Sequence, residues 1–242
     1  MSGAVYPNCP DKLFQFHHQP FNYFATYAPG TAARTSHLGD EAEFIQQAQL
    51  SGSSCQLKPV SFVKPIGEEN EHPGYASAPV GSTHLVDLLQ MIVGSACAKD
   101  TMVVVTYDEF GGQWDHVPPP GQGSTPGPHD QWGPGTRIPA LIIAPFLSGN
   151  YVIDHTQHDT SSILATIEHR YGLAPLTARD AAVNDLSSVF QAKPFLADIF
   201  SPELKAWLAT VVLGSYQYLA LPPMMRAWVD AQTSVAAAAL EP

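Results

Sequence analysis

Apolar residues recur with a helical period across residues 82–96, where Leu85, Leu88, Leu89, Ile92 and Ala96 fall at i, i+3, i+4, i+7 and i+11. That spacing sets them on one face of an amphipathic helix, with Ser82 or Thr83 placed to cap its start. Residues 102–107 follow a different rule. They form a continuous apolar, β-branched run, too short for a helix and suited to a strand covered on both faces. The run stops at Asp108. Residues 138–143 read as a second buried strand closed by Pro145, and residues 60–63 as a short strand running into Pro65 and Gly67. A further helix begins at Asp159, turns Ile163, Leu164 and Ile167 inward and ends at Gly172.

The order is strand, helix, strand, strand, helix. It predicts an α/β domain with a largely parallel sheet between helices, whose sites lie at the carboxyl ends of the strands. Residues 1–57, with aromatics around His17 and His18 and turn formers such as Pro29, Gly30 and Gly39, read as an ordered loop region. The main domain extends to residue 195. In the remainder, 196–242, Leu204, Trp207, Leu208, Val211 and Val212 suggest a helix, Pro222 and Pro223 break it, and residues 236–239 are all alanine. This stretch reads as an appended helical tail with no chemistry of its own, and no internal repeat is evident.

Composition narrows the partners. Asp and Glu number 22 against 11 Lys and Arg, a formal charge of −11, which argues against binding a polyanion such as nucleic acid. A small phosphorylated substrate is still compatible, because a metal ion and protonatable imidazoles can meet its charge locally. Cys9, Cys55 and Cys97 allow at most one internal disulfide and fit no zinc cluster. No stretch approaches the roughly 18 consecutive apolar residues of a membrane-spanning helix. No basic segment followed by an apolar run opens the chain. Oligomeric state is not legible.

Asp108 and Glu109 directly follow the 102–107 strand, and Gly111 and Gly112 then free the backbone before Trp114, Asp115 and His116. Adjacent carboxylates at a strand end suit a hard or borderline divalent cation that bridges a phosphoryl oxygen and a nucleophile. The plain alternative is a solvated acidic turn. His17 and His18 can bind a metal or phosphate from two directions, or can be one packed and one exposed histidine. His72 sits in a Glu-rich loop where Pro73 and Gly74 can fix its ring, or is simply a surface residue. His155 and His158 precede the second helix, whose amide end attracts anions. His155 is a second-tier candidate, as is His116. His84, His129, His169 and His37 have no supporting pattern. The sequence holds no Walker loop, no G-x-S-x-G elbow, no H-E-x-x-H helix and no C-x-x-C pair, and it yields no Ser/His/Asp triad.

Five blocks in order, FQFHHQPFNYF, ENEHPGY, VVVTYDEFGGQWDHVPPP, GTRIPALIIAPF and DHTQHDTSSILATIEHRYG, resemble the bacterial phosphoesterase family of non-haemolytic phospholipases C and acid phosphatases. The resemblance runs from about Leu13 to Leu186. It implies a three-layer α/β/α sandwich like that of alkaline phosphatase, with a metal beside a Ser or Thr nucleophile and phosphate-contacting histidines around it. It implies that Asp108 and Glu109 are the paired acidic metal ligands, and that His17, His18 and His72 bind phosphate. Glu109 stands where some members have Asp. The family's nucleophile and an early Glu-Asn ligand pair lie upstream of the double histidine, and the sixteen residues before His17 contain neither. Residues 1–195 therefore resemble the C-terminal part of a phosphoesterase domain carrying half of a site, and full-length members of this kind are exported.

The reading is a metal-dependent phosphoric-ester hydrolase, phosphatase or phospholipase C-like, acting on a phosphomonoester or phospholipid. The alternative is an inactive metal- or partner-binding remnant of such an enzyme. A sulfatase or phosphomutase relative is a third, weaker reading.

Overall fold

A computed structural model describes residues 14, 16–147 and 152–191, and the backbone of 193–194. Cys9 and the tail 196–242 lie outside the described residues. The chain divides into two compact units between Phe146 and Leu147.

The first unit opens with three short 3-10 turns, Phe16–His18, Pro20–Tyr23 and Ala25–Tyr27, followed by helices α1 (Ala32–His37) and α2 (Glu41–Leu50). The two helices correct the expectation of a loop region. α2 is written in a capping box: Asp40 accepts from the helix backbone while the Glu43 side chain accepts from the Asp40 N–H at 2.9 Å. Helix α3 (Ala78–Val93) starts four residues before the periodic stretch, because Pro79 is well suited to a first helical turn. Ser77, not Ser82 or Thr83, is its N-cap position, and Gly94 ends it.

α3 packs on α2 and buries Leu88 and Ile92 beside Ala48. Ser51 and Cys97, both fully buried, tie the helix ends together. The Ser51 carbonyl accepts from Ala96 N–H at 2.7 Å, its hydroxyl donates to Gln47 O at 2.7 Å, and a disulfide joins Cys97 to Cys55.

Strands β1 (Val103–Thr106) and β2 (Ala140–Ile143) pair antiparallel, with Val103 opposite Ile143 and Thr106 opposite Ala140. In the second unit, β3 (Val152–Ile153) pairs antiparallel with β4 (Lys193–Pro194), and helix α4 (Ser161–Tyr171) packs on the 3-10 turn Leu186–Gln191. The chain is thus mixed α/β, but the expected parallel sheet is not seen among the described residues. β1 and β2 follow one another in the chain and are joined by a long loop with no helix in it. A parallel pairing needs a crossover, normally helical, to carry the chain back to the starting edge.

Three further expectations are corrected. Residues 60–63 join no sheet. Pro59 and Pro65 bracket them and carry no N–H for a ladder, and Phe62 is 72% exposed. The 102–107 strand is half-buried rather than covered on both faces, and Leu141 on its partner is exposed. α4 ends at Gly172 in the left-handed conformation (φ 64°), as read from the sequence, but its N-cap is Thr160. Asp159 accepts from Ser161 N–H at 2.6 Å. Its buried face is Ser162, Ala165 and Glu168, while Leu164 is exposed.

Candidate functional site

β1 delivers Asp108 one residue beyond a Tyr107 that is itself tethered. The Tyr107 hydroxyl donates to Glu71, Ser82 on α3 donates to the other Glu71 oxygen at 2.9 Å, and the hydrogen bond to Glu71 raises the Tyr107 pKa. Glu71 occupies the left-handed region (φ 63°), an uncommon conformation for a non-glycine residue. It lies over Gly81 of α3, where a Cβ would meet Glu71 Cγ at 2.2 Å. A bare spot on one helix thus docks the loop that carries His72.

Within that loop the His72 N–H donates to Asn70 Oδ1 at 2.9 Å, and its Nδ1 lies 2.8 Å from the Pro73 carbonyl. A carbonyl only accepts, so in this contact Nδ1 carries a proton and donates it. The ring packs 4.6 Å from that of Tyr75.

His17 and His18 lie in the first 3-10 turn with their rings edge to face at 4.5 Å. Phe16, beside them, meets Tyr23 edge-on at 5.7 Å. His18 is where distant segments converge. Burial lowers its pKa first, then Lys64, His17 and His72 lower it further, while Asp108 opposes them. Its neighbour His17 and three segments separated in sequence thus bear on one imidazole.

Asp108 Oδ2 accepts from Lys64 Nζ at 2.6 Å, and this hydrogen bond holds the carboxyl below the usual carboxylate range. Both side chains are well exposed. Glu109 turns away: its Oε2 accepts from Gly111 N–H at 2.7 Å, closing the turn that Gly111 and Gly112 make at φ 63° and 70°. His116 packs edge-on against Trp114 at 4.4 Å, in a loop anchored by the bidentate pair of Arg137 and Asp115, with both bonds at 2.7 Å. The Arg137 guanidinium holds Asp115 well below the carboxylate range.

His155 belongs to the second unit and is exposed. Its neighbour His158 is the placed one: Nε2 lies 3.0 Å from Asp154 Oδ2 and 3.1 Å from Ser188 Oγ, and Ser188 donates to Asp154 at 2.5 Å. Burial alone would raise the Asp154 pKa, but hydrogen bonds from Ser188, Thr156 and His158 bring it down to about 2. Serine and aspartate meet the same ring nitrogen. This is a mutual anchor, unlike the relay in which a base lies between nucleophile and acid.

A divalent ion at Asp108 and Glu109 suits the chemistry of two carboxylates. The arrangement is incomplete, however: Lys64 holds one carboxylate, the turn holds the other, and no third ligand joins them among the described residues. The sequence does not single out Lys64, Glu71, Asp154 or Ser188, and it marks His158 only as a histidine ahead of the second helix. Lys64 leaves a trace as a lone cation between an apolar run and Pro65.

The model of the Phosphoesterase family matches residues 1–174. The chain belongs to the phosphoesterase family. Its similarity extends to curated members. It is 33% identical to phospholipase C B of Mycobacterium tuberculosis over 69% of this chain and 38% of that protein. It is 30% identical to phospholipase C A of the same organism over 66% of this chain and 36% of that protein. It is also 30% identical to non-specific phospholipase C1 of Arabidopsis thaliana over 71% of this chain and 37% of that protein. This phosphoesterase-family chain therefore spans less than two fifths of the length of those relatives. The family match includes the His17, His18, His72, Asp108, Glu109, His116 and His155 positions.

Proposed function

We propose that this phosphoesterase-family chain serves the hydrolysis of phosphoric esters, of the phosphatase or phospholipase C kind, with His17, His18 and His72 as the phosphate-binding face. The observation that carries this reading is the electrostatic convergence of His17, His72, Lys64 and Asp108 on His18. The relatives named phospholipase C support the ester class. In this reading the substrate is a phosphomonoester or a phospholipid, and the domain is a three-layer α/β/α sandwich in its complete form.

Each residue has a chemical task. His18, its pKa lowered by burial and by neighbouring cations, is neutral at pH 7 and donates one N–H to a phosphoryl oxygen. His72, with its Nδ1 proton held by the Pro73 carbonyl, offers Nε2 as a proton acceptor, or as a donor once protonated, toward a departing alkoxide. Lys64 supplies the fixed positive charge against a dianion. Asp108 and Glu109 would provide oxygen ligands to a divalent ion, which when bound supplies Lewis-acid stabilisation of charge on the phosphoryl group. In this reading the attacking nucleophile belongs to the part of the family domain upstream of the double histidine. The Cys55–Cys97 disulfide supports an exported setting, since such bonds persist in oxidising compartments.

One observation favours a second reading. Lys64 occupies the cation position at Asp108, as expected of an inactive relative that has replaced an ion with an ammonium group. Turnover of a chromogenic phosphomonoester and of a phosphocholine diester, with and without added divalent metal, separates the two. Metal-dependent turnover lost in Asp108→Ala supports the hydrolase. Absence of turnover in every metal, with phosphate binding intact, supports the inactive relative.

A further inference from the structure

Away from the His18 cluster, Glu41, Glu69 and His84 come together from three elements: the first turn of α2, the loop before α3, and α3 itself. One ligand atom from each lies within 4.8 Å of the others. His84 is the innermost, with its side chain 15% exposed against 22% for Glu41 and 36% for Glu69.

Its Nε2 is buried and takes part in no hydrogen bond, although Glu41 Oε1 is only 2.9 Å away. A carboxylate oxygen that close yet not hydrogen-bonded lies off the direction in which the ring N–H points. Two ligands of one ion stand in that relation. With metal–nitrogen and metal–oxygen bonds of about 2.0–2.2 Å, neighbouring ligand atoms lie roughly 2.9–3.4 Å apart, and the ion, not the second ligand, lies on the nitrogen's lone-pair axis. Glu69 Oε1 is 3.6 Å from Nδ1, and the Glu69 carboxylate brings an oxygen within 4.8 Å of the other two ligand atoms.

We infer that Glu41, Glu69 and His84 form a structural site for a divalent transition-metal ion, of the zinc or manganese class that one imidazole and two carboxylates select. The ion clamps the start of α2 and the body of α3 to the loop that continues through Glu71 and His72. It is separate from any ion held by Asp108 and Glu109, and the inference does not depend on hydrolytic activity.

The test uses the full chain carrying Asp108→Asn and Glu109→Gln, which leaves the proposed site intact. Isothermal titration with Zn²⁺, and Co²⁺ absorption in the visible, should show about one ion bound per chain and a raised Tm on metal addition. Adding His84→Gln should weaken binding roughly a hundredfold and remove the thermal shift. Should that variant fold poorly, Glu41→Gln is the second probe: circular dichroism unchanged and Zn²⁺ affinity lowered roughly tenfold or more. No Zn²⁺ binding by the Asp108→Asn, Glu109→Gln chain, or affinity unchanged in either His84→Gln or Glu41→Gln, overturns the inference and leaves a histidine bridging two carboxylates.

Discussion

At the scale of single residues, the state of His18 is governed by its neighbours. Replacing Lys64 by Met removes a cation that lowers the His18 pKa and also frees Asp108, which raises it. Both changes act in one direction, so the His18 pKa in Lys64→Met should rise, measured by ring-resonance NMR against pH. No change would show that burial alone sets it, and a fall would contradict this account. The linkage sign follows. A histidine whose folded pKa is depressed binds fewer protons folded than unfolded, so it costs stability as pH drops below about 6.5. Lys64→Met should therefore relieve part of the stability lost on mild acidification.

Asp154 acts in another pH window. Its folded pKa of about 2, against 3.8 ordinarily, contributes stability that is fully present above about pH 4 and lost as pH falls toward 2. Asp154→Asn should flatten that acid limb in thermal melts taken from pH 5 to pH 2. These residue-scale devices were mostly hidden in the sequence. Lys64, Asp154 and Ser188 acquire meaning only when the fold brings them to His18 and His158, across separations that no local pattern records.

At the scale of elements, α3 organises the first unit by what it lacks as much as by what it buries. Gly81 leaves space that Glu71 fills. Gly81→Ala improves helix propensity by up to about 1 kcal/mol, yet its methyl would collide with Glu71. The expected outcome is an undocked His72 loop: the Tyr107 pKa falls back toward 10 as its hydrogen bond to Glu71 is lost, visible in ultraviolet titration. An unchanged Tyr107 pKa would mean that the loop is held elsewhere. The Cys55–Cys97 disulfide spans 42 residues that include Lys64, the His72 loop and all of α3. Reducing it should cost the first unit roughly 3–4 kcal/mol on chain-entropy grounds, measured by urea unfolding with and without reductant.

Elements were legible where periodicity and punctuation agreed. α3, β1, β2 and α4 were all found, with ends displaced by a few residues. α2 is hard to read although Asp40 and Glu43 spell its capping box, because turn formers such as Pro29, Gly30 and Gly39 crowd the residues before it. The strand expected at residues 60–63 does not form: Pro59 and Pro65, at either end of the run, carry no N–H and interrupt a ladder there.

At the scale of the whole molecule, family membership was legible from five ordered blocks, and the match over residues 1–174 bears it out. Sheet topology was not. Strand order depends on which partner each edge finds, and short apolar runs read the same in parallel and antiparallel pairs. Among the described residues the strands form two antiparallel pairs rather than the expected parallel arrangement. The proposed assembly of His17, His18 and His72 into one phosphate-binding face joins three segments that the sequence could only align with a family pattern.

The most direct test of that assembly is independent of whether the chain turns over an ester. Titrating inorganic phosphate into the chain while following the histidine ring resonances should shift His17, His18 and His72 together along one saturating curve. His18→Ala should weaken that curve for the other two, with His37 and His129 unmoved. Shifts spread evenly over exposed histidines, or none at His18, would contradict the account.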